Sequence, residues 1–206
     1  MAVKPDYTMA RRHLMKADPK LSLIIKRVGT CELHSVAPKD PFVTLCKSIA
    51  SQQLSIKAAA TIFRRFEDLF PPDRTPTPEG VMTLSDEEIR ACGFSRPKVS
   101  FIKDLASRVL DGRLDLKSLK KHSDEDVMQQ LVAVKGIGRW TAEIFLMFRL
   151  GRPDILPADD LGLMNAVHRA YRLRKRPDAK KLRQIGEAWR PYRSIASWYL
   201  WQSLTK

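Results

Sequence analysis

The heptapeptide VKGIGRW, Val134–Trp140, places two glycines between two segments with helical periodicity. Glycine permits positive φ and leaves the neighbouring backbone amides uncovered by a side chain. A helix that restarts directly after such a bend points its first N–H groups and the positive end of its dipole outward, an arrangement that binds phosphate without reading a base. The alternative is an ordinary αα-hairpin with a glycine C-cap. The candidate phosphate-binding residues are Lys135, Gly136, Gly138, Arg139 and Thr141.

The charge of the 206-residue chain favours the phosphate-binding interpretation. Lys and Arg total 37 against 23 Asp and Glu, which gives a formal charge of +14 and a pI near 10.0. Such an excess favours a polyanionic partner, with nucleic acid ahead of acidic membranes. No apolar run approaches the roughly 20 residues that cross a bilayer, and the N-terminus has no apolar signal core. We therefore expect no membrane partner, and a location in the cytosol with the nucleoid, or in a nucleus.

The elements that must position the hairpin are helices. Helical periodicity dominates and no run alternates as a strand would, which predicts an all-α fold of many short helices. Ser85 with Glu88, and Ser123 with Asp126, are start signals for two of these helices. The string PPDRTPTPEG predicts a surface loop, and RWTAEIFLMFRLG predicts one helix that ends at Gly151.

Four stretches in this order resemble one protein family: SIASQQLSIKAAATIF, LVAVKGIGRWTAEIF, LPADDLGL and WRPYRSIASWYLWQ. They are similar to the helix-hairpin-helix DNA glycosylases, and most similar to the 3-methyladenine DNA glycosylase II (AlkA-like) branch, from about Pro41 to the C-terminus. The resemblance implies a two-lobed fold with a cleft between the lobes. Residues 1–40 plus 151–206 would form a terminal-segment lobe, and residues 41–150 a central bundle that ends in the helix-hairpin-helix at about 124–150. The implied partner of this monomer is double-stranded DNA that contains alkylated bases.

The resemblance implies a catalytic role for Asp160. Breaking an N-glycosidic bond places positive charge on the deoxyribose, and an ionised carboxylate nearby can stabilise that charge and orient the attacking water. The family's catalytic Asp precedes its helix in an Asp-x-x-aliphatic pattern. Asp160-Leu-Gly-Leu163 matches this pattern, whereas Asp159 would place Gly162 at the aliphatic position. Asp159 is then expected to be the helix N-cap.

Trp140 implies that the chain hydrolyses the bond without cutting the strand. Bifunctional relatives that resemble endonuclease III carry a Lys after Gly-x-Gly-Arg, and this Lys forms a Schiff base with the sugar. Those relatives often hold an iron–sulfur cluster through four C-terminal cysteines, whereas this chain has no cysteine after Cys92. The resemblance implies a monofunctional enzyme with no iron–sulfur cluster and no other cofactor.

The resemblance also implies a base pocket formed by Trp140, Trp201 and Ile144. Aromatic faces attract the cationic ring of an alkylated purine. Ile144 stands where some relatives have a pocket Tyr, which leaves the base preference open. Trp198 and Tyr199 are weaker pocket candidates, and large aromatics at helical spacing are more often core, as we expect for Trp189 and Trp198.

The turn SQQLS is the predicted DNA-intercalating segment. A base must leave the duplex before an enzyme can reach its glycosidic bond, and a side chain fills the gap. By the resemblance Gln53 is the wedge and Gln52 lies near the flipped nucleotide or its partner. A plain polar turn between helices is the alternative.

Cysteine, metal-ligand and charge patterns indicate less about the function than the motifs do. Cys31, Cys46 and Cys92 are far apart and odd in number, so we expect buried thiols rather than disulfides or metal ligands. No His/Cys/Asp cluster suggests zinc, and the resemblance allows only a structural Na⁺ or K⁺ on hairpin carbonyls. Eight of the fifteen residues at 169–183 are basic, which predicts either a track for the DNA backbone or a solvated face.

Two other functions stay open at this point. One is a helix-hairpin-helix module that binds the DNA backbone without catalysis. The other is a glycosylase whose substrates are deaminated or oxidised bases.

Overall fold

The computed structural model describes residues 7–33 and 40–205, and every regular element in those ranges is helical. This confirms the predicted all-α fold. In chain order the helices are α1 (Tyr7–Ala17), α2 (Pro19–Val28), α3 (Pro41–Ser51), α4 (Ile56–Glu67), α5 (Pro78–Thr83), α6 (Asp86–Ala91), α7 (Arg96–Leu110), α8 (Asp124–Val132), α9 (Arg139–Phe145), α10 (Leu161–Tyr171), α11 (Ala179–Gly186) and α12 (Arg193–Gln202). A π-helical turn, Leu146–Leu150, follows α9.

The chain divides into two compact units. The terminal unit comprises Met1–Ala37 and Leu146–Lys206, and the central unit comprises Pro38–Phe145. The sequence analysis placed these boundaries at 40/41 and 150/151. Within the described residues, no helix is both long and apolar enough to cross a bilayer.

The predicted capping signals form as hydrogen bonds. Ser85 and Glu88 make a reciprocal capping box at the start of α6, and the Ser123 hydroxyl accepts the N–H of Asp126 at the start of α8. The predicted surface loop ends earlier than expected, because α5 begins at Pro78. Proline suits the first helical position, and the Thr77 hydroxyl caps the helix.

The aromatic residues of the last third of the chain supply the core of the terminal unit. Trp189 and Trp198 are buried, which confirms that both pack in the core. Tyr199 is fully buried, and its hydroxyl donates a hydrogen bond to the Gly29 carbonyl at 2.9 Å. One face of α10, the helix that follows the ADD sequence, packs into this core through Leu163, Ala166 and Val167.

All three cysteines are buried and carry free thiols, as predicted. Burial raises the pKa of the Cys31 thiol to about 11. Burial also raises the pKa of Cys46 and that of Cys92.

Asp18 connects three parts of the terminal unit and is only 7% exposed. Its Oδ1 accepts the N–H groups of Lys20 and Leu21 at 3.0 Å, which caps α2. Its Oδ2 accepts the indole N–H of Trp189 at 2.9 Å and the hydroxyl of Tyr171. Burial, and then the Asp18 carboxylate, raise the pKa of Tyr171. Because Tyr171 ends α10, Asp18 anchors the end of that helix opposite to the candidate catalytic carboxylate.

We expect Asp18→Ala to lower the free energy of unfolding by about 3 kcal/mol, because it removes a helix cap and leaves buried donors without an acceptor. Asp178→Ala is the matched control, since Asp178 caps α11 through the N–H of Lys181 at an exposed site. We expect Asp178→Ala to lower the free energy of unfolding by about 1 kcal/mol. Urea unfolding of both variants measures the difference. Equal losses of unfolding free energy would show that the buried hydrogen bonds to Asp18 add no stability beyond the helix cap.

Candidate active site

The two glycines of the hairpin, which we define as Val134–Gly138, have different roles. Gly136 has φ +77°, and a Cβ there would lie 2.1 Å from Cδ2 of Phe101. Gly138 does not have positive φ, and a Cβ there would meet no heavy atom of the described residues within 4 Å. Of the two glycines, only Gly136 uses the positive φ that glycine permits. The fold therefore requires glycine at Gly136, while Gly138 stays open to the approach of a partner.

Asp104, on α7, holds the hairpin by accepting a backbone hydrogen bond from it. Its Oδ2 accepts the backbone N–H of Lys135 at 2.9 Å and Nε of Arg108 at 2.8 Å. Burial alone would raise the pKa of Asp104, but these two donors outweigh it and hold the pKa below its usual value. The Lys135 amide is thus occupied within the central unit, which leaves its side chain as the group that could contact a phosphate.

The first turn of α9 follows the hairpin directly. The Gly138 carbonyl accepts the N–H of Ala142 at 3.1 Å, so the helix starts at this glycine. Arg139 is exposed and its Nε donates to the buried Glu143 carboxylate at 2.9 Å. Thr141 is buried, so only its backbone N–H remains for the predicted phosphate contact.

Two of the predicted pocket residues lie on α9. The Trp140 side chain is 46% exposed, although it belongs to the largest apolar residue type. Ile144 is half-buried. Their role in binding a base stays a prediction.

Asp160 is the N-cap of α10. Its Oδ1 accepts the N–H of Leu163 at 2.5 Å and the indole N–H of Trp201 at 2.9 Å. The expectation that Asp159 is the cap is wrong, because a cap must reach the N–H three residues ahead and Asp160 stands at that distance from Leu163. Asp159 is exposed and lies 3.4 Å from Arg183. The residue proposed for catalysis is therefore held in place by the helix that it caps.

Gly162 makes room for the contact between the carboxylate and the indole. A Cβ at Gly162 would lie 3.1 Å from Oδ1 of Asp160 and 3.5 Å from Nε1 of Trp201. From the sequence this glycine served only to distinguish Asp160 from Asp159, and no structural role was predicted for it.

Phe148 is a second residue that the sequence analysis missed. It stacks on Trp201, with ring centroids 6.0 Å apart and an interplanar angle of 25°. It lies in the π turn Leu146–Leu150, where the sequence predicted an uninterrupted helix to Gly151. A π turn inside a helical segment often marks a functional site, and here it brings an exposed aromatic ring to the indole that holds Asp160.

The wedge turn, which we define as Ser51–Ser55, follows α3. Gln53 is exposed and has φ +57°, and the side-chain amide of Gln52 donates to the Gly136 carbonyl at 2.7 Å. Leu54 lies within the turn and Ile56 directly follows it, and Ile56 is 93% exposed. These two apolar side chains were not singled out from the sequence. DNA intercalation by Gln52 and Gln53 stays a prediction, and the structure gives Gln52 a contact with the hairpin.

Three residues of the basic run at 169–183 have defined surroundings. Arg183 lies beside Asp159. Arg169 and Arg172 instead line a concavity of about 610 Å³ that also includes Lys20 and Arg27. A contact between this run and the DNA backbone stays a prediction.

Within the described ranges, no group of three or more His, Cys, Asp or Glu side chains could hold a metal ion. Among the hairpin carbonyls, that of Val134 accepts the N–H of Ile137 and that of Gly136 accepts the amide of Gln52. A carbonyl oxygen keeps a second lone pair. A Na⁺ or K⁺ ion at these carbonyls stays a prediction.

The family model for the HhH-GPD superfamily base excision DNA repair protein matches residues 46–191, which include the wedge turn, the hairpin and Asp160. The chain belongs to this superfamily. It is 37% identical to DNA-3-methyladenine glycosylase 1 of Schizosaccharomyces pombe, over 95% of this chain and 87% of that protein. It is 36% identical to alkylbase DNA glycosidase-like protein mag2 of the same yeast, over 98% and 96% of the two chains.

Solved structures of superfamily members share the fold. The S. pombe 3-methyladenine DNA glycosylase (Mag1) in complex with abasic DNA superposes with a TM-score of 0.88 and 36% identity, over 96% of this chain and 97% of that chain. A DNA-3-methyladenine glycosidase from Bacillus halodurans gives a TM-score of 0.85 and 38% identity, over 94% and 88%.

The two hairpin glycines allow a paired test of the phosphate-binding site. We expect Gly136→Ala to lower the free energy of unfolding by about 3 kcal/mol, because the methyl group would overlap the Phe101 ring and the backbone has positive φ. Gly138→Ala should cost about 1 kcal/mol or less, as for a change at a helix cap. It should still weaken duplex binding about tenfold, because its methyl group would separate a phosphate from the amides. Urea unfolding and duplex titration measure both effects. Unchanged duplex affinity in Gly138→Ala would remove Gly138 from the phosphate-binding site.

Proposed function

We propose that this chain is a monofunctional DNA glycosylase that removes alkylated purines of the 3-methyladenine and 7-methylguanine type from double-stranded DNA, the first step of base excision repair. It acts as a monomer. The observation that carries the proposal is the Asp160 carboxylate, held at the start of α10 by the Leu163 N–H and the Trp201 indole. The DNA-3-methyladenine glycosylase 1 of S. pombe, 37% identical over 95% of this chain, supports the choice of substrate.

The proposed reaction is hydrolysis of the bond between C1′ and the purine nitrogen. An alkylated purine carries positive charge, so it leaves as a neutral base with the bonding electron pair, and the positive charge passes to the sugar. The Asp160 carboxylate stabilises this charge. Water then adds to C1′ and transfers its proton to the carboxylate. The product is an abasic deoxyribose with both phosphodiester bonds intact.

Leu163 and Trp201 both donate to Oδ1, and these two contacts fix the orientation of the carboxylate before substrate binds. A charge that needs no reorientation stabilises a transition state more than one that must be ordered during the reaction. This arrangement favours an enzyme over a module that only binds DNA, because backbone binding requires the hairpin and makes no use of an oriented carboxylate.

Trp140 supports both the monofunctional assignment and the preference for cationic bases. Strand cleavage through a Schiff base requires an amine at this position, and tryptophan has none. Its exposed indole face attracts a cationic purine ring. The target base must leave the stack to reach this face, and Gln53 in the wedge turn is the proposed residue that fills the gap.

Asp160→Asn is the decisive variant, because Asn also caps helices and its carbonyl can accept the same two hydrogen bonds. We expect base release to fall by about 10²-fold or more, with duplex affinity and stability unchanged. Asp159→Asn is the matched control, since it alters the adjacent exposed carboxylate. The measurement is release of base from duplexes that carry 3-methyladenine, 7-methylguanine, ethenoadenine, hypoxanthine or uracil.

Each alternative has a distinct result in this experiment. Release of none of the five bases by the wild type would mean that the chain binds DNA without catalysis. Release of hypoxanthine or uracil alone would change the substrate class to deaminated bases. An adduct trapped by borohydride would contradict the monofunctional assignment.

A further inference from the structure

Helix α7 contacts both elements that the proposed function assigns to DNA. Lys98, Phe101 and Asp104 lie three residues apart along α7, so they project from neighbouring positions of its surface. Lys98 reaches the wedge turn, whereas Phe101 and Asp104 reach the hairpin.

The Lys98 ammonium binds the C-terminal end of α3. Its Nζ donates to the Ala50 carbonyl at 2.8 Å and to the Gln52 carbonyl at 2.6 Å. The last carbonyls of a helix have no partner within the helix, and they carry the negative end of its dipole. The last turn of α3 has no basic residue of its own. Lys98, on α7, therefore supplies the positive charge that the C-terminal end of α3 lacks. The contact lies directly before Gln53 in the chain.

The Lys98 ammonium differs from that of an ordinary surface ion pair, because its partners are backbone carbonyls. Burial lowers the pKa of Lys98, and no carboxylate of the described residues pairs with its ammonium. A partly buried ammonium loses some hydration, and here backbone carbonyls replace it rather than a carboxylate. Lys103, five residues along the same helix, shows the ordinary case, because its Nζ pairs with the exposed Asp86 carboxylate at 2.5 Å.

The hairpin is held by neighbouring positions on the same face of α7. Phe101 lies against Gly136, and Asp104 accepts the Lys135 amide. The Gln52 amide then donates to the Gly136 carbonyl at 2.7 Å. The contacts form a closed circuit from α7 to the wedge turn, from the wedge turn to the hairpin, and back to α7.

We propose that Lys98 and Gln52 are positioning residues that hold the wedge turn at a fixed distance from the phosphate-binding hairpin, so that the wedge enters the duplex opposite a phosphate already bound. This inference rests on the proposed function. Gln53 has left-handed backbone, which is unfavourable for a residue other than glycine and persists only where the surroundings hold it. Lys98 and Gln52 provide that hold on either side of the turn.

Loss of these contacts should slow base extrusion rather than cleavage of the glycosidic bond. A turn that is loose before binding must be ordered when it enters the DNA, which costs conformational entropy at that step. The step is demanding only when the target base is stacked and paired. Asp160 lies outside this circuit, so cleavage of a base that is already unpaired should proceed nearly unchanged.

The test compares Lys98→Met with Lys103→Met on two substrates. Both variants keep the aliphatic stem and lose the ammonium. One duplex carries 7-methylguanine paired with cytosine, and the other carries the same lesion opposite a tetrahydrofuran abasic analogue. With enzyme in excess over DNA, we expect Lys98→Met to slow single-turnover release about tenfold on the paired duplex and less than about threefold on the unpaired one. Lys103→Met should stay within about twofold of wild type on both.

The outcomes distinguish failure of the positioning role from failure of the glycosylase assignment. Equal slowing of Lys98→Met on both duplexes, or no slowing on either, would overturn the positioning role and leave the glycosylase assignment in place. No release by the wild-type protein from either duplex would overturn both. Gln52→Met removes the other contact at a partly exposed site, and it should give the same selective loss if Lys98→Met does not fold.

Chemical rescue provides a second readout. Alkylation of Lys98→Cys with 2-bromoethylamine restores an ammonium at nearly the length of lysine. The three native thiols are buried and their pKa values are raised, so they react slowly. We expect alkylation to return the paired-duplex rate to within about threefold of alkylated wild type. A folded, alkylated protein that stays slow on the paired duplex would contradict the role of the ammonium.

Discussion

Oδ1 of Asp160 accepts the N–H of Leu163 and the indole N–H of Trp201, and the candidate chemistry of the molecule depends on this pair of hydrogen bonds. The first bond caps α10 and the second ties the same oxygen to α12. A Cβ at Gly162 would crowd Oδ1 of Asp160, and the Phe148 ring stacks on the indole of Trp201. The opposite end of α10 is anchored through Tyr171 to Asp18. The carboxylate is thus placed by a helix that is fixed at both ends.

Capping of α10 by Asp160 is compatible with the catalytic role proposed for this residue. A cap fixes the side-chain torsions of Asp160 and leaves it at a positive helix end, where negative charge is favourable. Those are also the requirements of a group that must face a developing positive charge without reorientation. The structural role therefore supplies the rigidity that the proposed reaction needs, at the cost of making the position sensitive to any substitution that cannot cap.

The sequence predicted elements far better than it predicted contacts between elements. The capping signals at Ser85 and Ser123 depend on residues a few positions apart, so local spacing was sufficient. The wrong predictions of helix boundaries also arose from local residue patterns. Pro78 starts a helix that composition had assigned to a loop, and the π turn at Leu146–Leu150 has the same apolar spacing as the helix before it. α1 and α2 were not predicted, because no family motif falls on them.

The sequence by itself determined that this is a basic all-α protein with two glycines ahead of a helix, and an Asp at a fixed place ahead of the next one. Those features are written in neighbouring residues, where periodicity and capping operate. Only the tertiary structure decided that Gly136 lies against Phe101, that Gln52 and Lys98 join the wedge turn to the hairpin through α7, and that Trp201 holds Asp160. Such contacts join residues between about 35 and 85 positions apart along the chain, and only packing of helices brings them within hydrogen-bonding distance.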